Sequence, residues 1–324
     1  MNPPSKKATV LLMLCLLLAV FVAALYKGAV NMDFTDLSDI DKDILLYVRI
    51  PRVFLAGLVG ASLTLSGVLF QYVMKNPLAD SFTTGVSASS AMGAVVAIML
   101  GMGVVLPLFA LGGGLIGLLA VYKISSVKGR VQPITMLLAG IVISTFASSV
   151  ISLMKYLADD SVASIIFWLM GGFQGASVEK VAIMIVLLAI SYGITRRDYL
   201  SLDIICFDDT TALSSGIDVH KLRRKAFFIA ALLTAISVGY AGIIGFVGLI
   251  IPHLIRLLKF VKAADLVPLS LLLGAAFMIF NDWVARVIMP EGQELSVGII
   301  TSAIGGLFFL YLLTKRKKEL YYFD

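Results

Sequence analysis

The 324-residue chain is 60% hydrophobic and 14% charged, where a soluble globular chain is roughly a quarter charged. With a mean hydropathy of +1.00, it holds more apolar surface than a water-facing fold can cover, so a soluble domain is excluded and a bilayer-embedded one follows. The formal charge of +6 lies in short clusters between apolar runs, which is the pattern of membrane loops and not of a nucleic-acid surface.

Apolar runs of roughly 17–25 residues predict an all-α, polytopic membrane protein of about ten transmembrane helices. Lys6 and Lys7 precede an uncharged run from Ala8 to Tyr26. That run is long enough to cross about 30 Å and longer than a signal-peptide core, so it is span 1. A bulky Leu14 before Cys15 makes a poor lipoprotein cleavage site. Spans 2 to 6 cover about Pro51 to Val73, Phe82 to Met102, Val104 to Ile124, Ile134 to Tyr156 and Val178 to Thr195. The stretch from Ala226 to Val261 is too long for one crossing and carries Gly239, Gly242, Gly245, Gly248 and Pro252, which favour a break. It divides into span 7, ending near Gly242, and span 8, ending near Phe260. Spans 9 and 10 run from about Leu266 to Ile288 and Val297 to Leu313. The chain reads as a single transmembrane domain over residues 1–324, with its largest polar segment at about 196–225.

Loop charges alternate. Lys6-Lys7, Lys123 to Arg130, Arg196 through Lys225, Lys259 to Lys262 and Lys315 to Lys318 form a basic set. Asp33, Asp36, Asp39, Asp41 and Asp43, then Asp159-Asp160, then Glu291 and Glu294 form an acidic set. The positive-inside rule puts the basic set and both termini in the cytoplasm. Gly67 and Pro77 are spaced as Gly242 and Pro252 are, a faint echo that raises an inverted repeat of spans 2–5 and 7–10.

No G-x-x-x-x-G-K-[ST] phosphate loop is present, so the chain has no such device for ATP and no enzyme activity is expected of it. His220 and His253 stand far apart without metal-ligand spacing, so no metal or other cofactor is expected on the chain. His253, beside Pro252 at the expected helix break, reads as a structural histidine. Cys15 lies inside the first apolar run and Cys206 in a segment placed in the cytoplasm, so no disulfide is implied. Asp282 is the main carboxylate inside a span, and Arg286 four residues on can pair with it. That scarcity of buried acids argues against an ion-coupled secondary carrier, the rival reading, with a non-transporting scaffold as a third. Arg49, Arg52 and Arg286 stand at the acidic end, where they either snorkel, pair with neighbouring aspartates or meet a partner. Gly57 with Ala61, Gly113 with Gly117, and Gly305 with Gly306 are expected to let helices approach closely.

Several blocks resemble the FecCD family, the permease subunits of bacterial ABC importers for iron–siderophores, haem and cobalamin. These are Arg49-Ile50-Pro51-Arg52, Gly60 to Gly67, Asn76-Pro77-Leu78-Ala79-Asp80, Gly85-Val86-Ser87 and Leu138-Ala139-Gly140. Trp168 to Gly172, Gly242 to His253, and Leu295 to Thr301 follow in the same order. The resemblance implies a homodimer in the bacterial inner membrane, two ATPase subunits that bind ATP and Mg²⁺, and a periplasmic or lipid-anchored substrate-binding protein. The cargo it implies is a metal chelate, with an iron(III)–siderophore first and haem or cobalamin as the nearer alternatives. Arg49, Arg52 and Arg286 match positions that meet carboxylates on the binding protein's lobes in similar permeases. Ala212, Leu213, Ser214, Ser215, Gly216 and Ile217 fall where such importers carry a coupling helix for the ATPase. Thr210 and Thr211 depart from the family's Glu-Ala opening, which leaves the acidic contact to Asp208 or Asp209. Gln132 and Thr135 match the inner gate region, and Ser144, Thr145 and Ser148 follow on the same span. Their hydroxyls either line the translocation path or bond helix carbonyls.

Overall fold

The computed structural model describes residues 5–29, 36, 38–127, 130–158, 161–290 and 292–315. Asp33, Lys128, Asp159, Asp160, Glu291 and Arg316 to Lys318 lie outside the described residues. Each apolar run becomes a helix, because a chain in hydrocarbon must satisfy its own backbone groups. The order is α1 (Lys6–Tyr26), α2 (Asp39–Asp43), a π turn (Ile44–Arg49), α3 (Ile50–Met74), α4 (Val86–Met99), α5 (Leu106–Ser125) and α6 (Pro133–Leu157). Then come α7 (Val162–Leu169), α8 (Val178–Arg197), α9 (Tyr199–Phe207), α10 (Asp209–Ser214), α11 (Val219–Ala241), α12 (Val247–Leu257), α13 (Ala263–Val287) and α14 (Val297–Lys315). A hairpin of β1 (Ser126–Val127) and β2 (Arg130–Val131) joins α5 to α6.

Among the described residues, eight helices are long and apolar enough to cross a membrane, and α4 and α12 are shorter apolar helices. Together they occupy the ten expected spans. The central element is the continuous rod Asp39–Met74, 89% buried over its most apolar window, whereas α1 and α8 are 22% and 17% buried there. Lys6 pairs with Asp265 at the start of α13, so α1 and α13 begin at one end of the bundle. α14, following α13, returns to that end.

Four boundaries differ from expectation, each for a local reason. The rod starts at Asp39, well before Pro51, because Ser38 and Asp41 form a reciprocal capping box. α11 starts at Val219, because Asp218 caps it by accepting from Lys221 N–H at 3.0 Å. Spans 3 and 8 are shorter than predicted, with 14 and 11 helical residues, and each follows an irregular segment packed inside the bundle. The break before span 8 covers residues 242–246, so Pro252 and His253 lie inside α12 and not at the break. His253 is 1% exposed and sits edge-on to Phe308 at 6.0 Å.

The Gly–Pro echo does not mark equivalent places. Gly67 is inside α3 and Pro77 beyond its end, whereas Gly242 follows α11 and Pro252 is inside α12. A closer parallel is that both short helices are entered through a left-handed residue, Gly85 at φ 79° and Phe246 at φ 68°. A side chain as large as Phe rarely adopts that backbone. The two long sequence blocks meet in space: a Cβ on Gly67 would lie 2.1 Å from the Gly248 carbonyl oxygen, so α3 and α12 touch backbone to backbone. Of the small pairs, Gly113 and Gly117 pack on Ser89 and Gly57 on Ile279, whereas Gly306 has nothing within 4 Å.

Candidate functional site

Sequence-predicted residues gather at the two ends of the rod. At the first end the helix carries a π turn just ahead of Pro51. Proline lacks an N–H and crowds the carbonyl one turn back; the wide turn absorbs this, with Ile50 N–H reaching Leu45 O, five residues away. The turn and the first residues of α3 send Arg49 and Arg52 into the bundle, where both are 5% exposed, and Arg286 from α13 is 3% exposed.

Arg52 is held on three sides. Its Nε and Nη2 donate to Asp282 Oδ1 at 3.0 and 2.8 Å, and its Nη1 donates to both Glu294 oxygens at 2.9 Å. Asp282 also pairs with Arg286 Nε at 3.1 Å, the i,i+4 contact expected from sequence. Arg286 Nη1 donates to Ala24 O at 3.1 Å, and Arg49 Nη1 to Leu25 O and Tyr26 O at 2.9 and 3.2 Å. These are last-turn carbonyls of α1, the negative end of its dipole, so the guanidiniums cap that helix. Gly28 leaves room for them, since a Cβ there would stand 3.2 Å from Arg49 Cζ and 3.3 Å from Arg286 Nη1. The expected arginines therefore do come together. They face inward, and Arg52 pairs with distant Asp282 and Glu294.

At the other end, α9 and α10 form a short helical pair. Asp208 caps α10, accepting from Thr211 N–H at 3.0 Å and from the Thr210 hydroxyl. Asp209 takes a two-pronged contact from Arg223 of α11, 2.8 Å on each side, and Lys75 Nζ at 2.8 Å from the end of α3. Burial acts to raise the Asp209 carboxyl, but the hydrogen bonds from Arg223 and Lys75 outweigh it and hold the group below its ordinary value. Both acids are thus committed within the chain. Ala212 is fully buried, while Leu213 is 57% and Phe207 83% exposed. Gly216, at φ 79°, ends α10, with Ile217 N–H donating to Ala212 O at 3.0 Å. An apolar ridge is left facing away from the bundle.

On α6, Ser144 donates to Phe82 O at 2.9 Å, and Thr145 and Ser149 donate to their own i−4 carbonyls at 2.9 and 3.0 Å. Thr135 donates to Gln132 Oε1 at 3.2 Å at the helix start. Ser148 is exposed, as are Leu138, Val142 and Phe146. Ser144 therefore serves packing, while Thr145 and Ser148 lie on an open, mixed apolar and hydroxylic face.

The model of the FecCD transport family matches residues 10–315. The chain belongs to the FecCD family. Its relatives include the cobalamin import system permease protein of Halobacterium salinarum, 36% identical over 83% of this chain and 73% of that one. The molybdate import system permease protein of Haemophilus influenzae is 33% identical over 87% and 84%. A solved inward-facing ABC transporter, described as of the metal-chelate type, superposes with a TM-score of 0.85 at 31% identity over 94% of this chain and 97% of that one. The chain is accordingly an ABC importer permease of the group that handles metal chelates, cobalamin, iron and molybdate.

This FecCD permease also holds a polar cluster that sequence reasoning passed over. A proline inside a helix leaves a carbonyl without its donor: Pro252 has no N–H for the Gly248 carbonyl, which lies four residues back in α12. Gln71 of α3 supplies the missing donor, Nε2 to Gly248 O at 3.1 Å, while its Oε1 accepts from Arg256 Nη1 at 2.5 Å. Next along α3, the Tyr72 hydroxyl donates to Asp203 of α9 at 3.0 Å, and Ala263 N–H donates to the same carboxyl at 2.9 Å. The signal available in sequence was Pro252 inside a span, which demands an outside donor. Among the described residues no group of three or more His, Cys, Asp or Glu could hold a metal ion.

Proposed function

We propose that this permease works as a homodimer that carries an iron(III)–siderophore inward, with haem or cobalamin as the nearer alternatives, and draws its energy from two copies of a separate ATPase. The observation that carries the reading is the α9–α10 pair. Its exposed Leu213 and Phe207 offer an apolar ridge, and Asp209 bolts it to both α3 and α11. A ridge fixed rigidly to two spans transmits an ATPase movement as a body shift. ATP and Mg²⁺ belong to the partner. Positive-inside charge then puts this basic end and both termini in the cytoplasm of the inner membrane. The open face of α6, with its exposed Thr145 and Ser148, is proposed to line a path between the copies.

The opposite end is proposed to seat the binding protein. Arg49, Arg52 and Arg286 lie under that seat, and the Glu294 side chain, 22% exposed, is the most open member of the network around Arg52. A carboxylate on the binding protein would compete with Glu294 for the Arg52 fork, a geometry suited to guanidinium. The test is uptake of a labelled ferric siderophore into vesicles holding the permease with its ATPase and binding protein. Uptake that needs all three and ATP supports the reading. Uptake by the permease alone, driven by an ion gradient, overturns it in favour of a secondary carrier.

A further inference from the structure

A groove of about 570 Å³ runs between α8 and α11 at the basic end. Its wall is apolar, formed by Ile190, Ile194, Phe228 and Leu232, and its mouth carries Lys221, Arg224 and Lys225. From Lys221 to Leu232 it follows α11 for about 16 Å, at about 1.5 Å per residue. The charged mouth takes up the first turn of that length, and the apolar wall below it reaches about 10 Å along α8 from Leu187 to Ile194, within the ~15 Å of one leaflet.

The charges at the mouth are out of place for the helix alone. Cations in the first turns of a helix face the positive end of its dipole and destabilise it. α11 nevertheless opens with Lys221, Arg223, Arg224 and Lys225. Arg223 is answered by Asp209, and Lys225 by Asp198. Lys221 and Arg224 are exposed, and no ion pair holds either among the described residues. Asp218 already meets the dipole and the first-turn N–H of Lys221, so the two side-chain charges of Lys221 and Arg224 are what faces the mouth, directly above the apolar slot. A soluble partner cannot enter a slot that lies within the spans, but a lipid can.

We propose that the α8–α11 groove binds an anionic glycerophospholipid, its phosphate against Lys221 and Arg224 and one acyl chain along Ile194, Phe228 and Leu232. The test places an indole in the slot by Phe228→Trp and reconstitutes the full chain in vesicles containing brominated phosphatidylglycerol or brominated phosphatidylcholine. The signal of the unaltered chain, from Trp168 and Trp283, is subtracted. Each basic residue contributes about fivefold near a membrane surface, so phosphatidylglycerol is expected to be preferred by about 25-fold. Lys221→Gln with Arg224→Gln brings the ratio close to one, and Lys221→Arg with Arg224→Lys keeps it, which separates charge from packing. Equal quenching by both lipids overturns the proposal. So does a preference that survives the neutral pair, as it would if these cations served only an ATPase contact, or a preference abolished by millimolar inorganic phosphate at constant ionic strength.

Discussion

Replacing Gln71 with Leu tests the link between α3 and the short helix α12. The substitution removes the donor to the Gly248 carbonyl and one acceptor of Arg256. An unsatisfied buried carbonyl costs about 1–3 kcal/mol, and a hydrogen bond to a charged group is worth about 1.5–3 kcal/mol. The expected destabilisation is therefore about 2.5–6 kcal/mol, read by denaturant titration of the purified chain in mixed micelles with helix content as the signal. The informative measurement is the same substitution made beside Pro252→Ala. Residue 252 then has an N–H for the Gly248 carbonyl, so the carbonyl's share disappears and the cost of Gln71→Leu falls by about 1–3 kcal/mol. Equal costs in the two backgrounds would refute the argument that Gln71 replaces a donor lost to proline.

Further outcomes follow from the two ends. Asp282→Asn strips the shared carboxylate from Arg52 and Arg286 and is expected to destabilise the chain by about 3–5 kcal/mol, as loss of one member of a buried pair does; an unchanged unfolding midpoint would count against the network. Glu294→Gln releases Arg52 to a partner, so binding-protein affinity rises, whereas Arg52→Gln lowers it; surface plasmon resonance on the reconstituted permease reads both, and no change in either variant removes Arg52 from the docking proposal. Leu213→Asp puts a charge on the apolar ridge and is expected to lower ATPase retention on affinity purification at least tenfold, about 1.4 kcal/mol or more; full retention would displace the coupling assignment. The Asp209 carboxyl titrates below its ordinary range, so its stabilisation is fully present above pH ~4 and is lost as pH falls through the depressed value. Hydrogen exchange at α10 should accelerate only below that point, and Asp209→Asn should remove the pH dependence.

Run length and loop charge made the span order legible, because both report directly on the cost of polar groups in hydrocarbon. They overstated spans 3 and 8. Hydropathy scores Phe82 and Gly242 to Phe246 as crossing residues, but their backbone is irregular and tolerated only because protein surrounds it. α7 escaped because eight residues are too few to signal a crossing. At the site, the Asp282–Arg286 contact was readable because helix geometry fixes neighbours four apart. Arg52 with Asp282 is a contact across 230 positions, and single-sequence spacing says nothing about it. The same holds for Gln71 with Arg256, 185 positions apart.

The rod from Asp39 to Met74 has 36 residues, a length of about 54 Å at about 1.5 Å per residue. Its head lies in the arginine network, and its tail holds α9 through Tyr72 and α10 through Lys75. One helix thus joins the end proposed to seat the binding protein to the end proposed to meet the ATPase, and a tilt of about 5° about Arg52 swings Met74, about 33 Å away, by about 3 Å. The six-residue π turn lies just ahead of that pivot, so a change in its winding at one surface would reappear, magnified by the length of the helix, at the other.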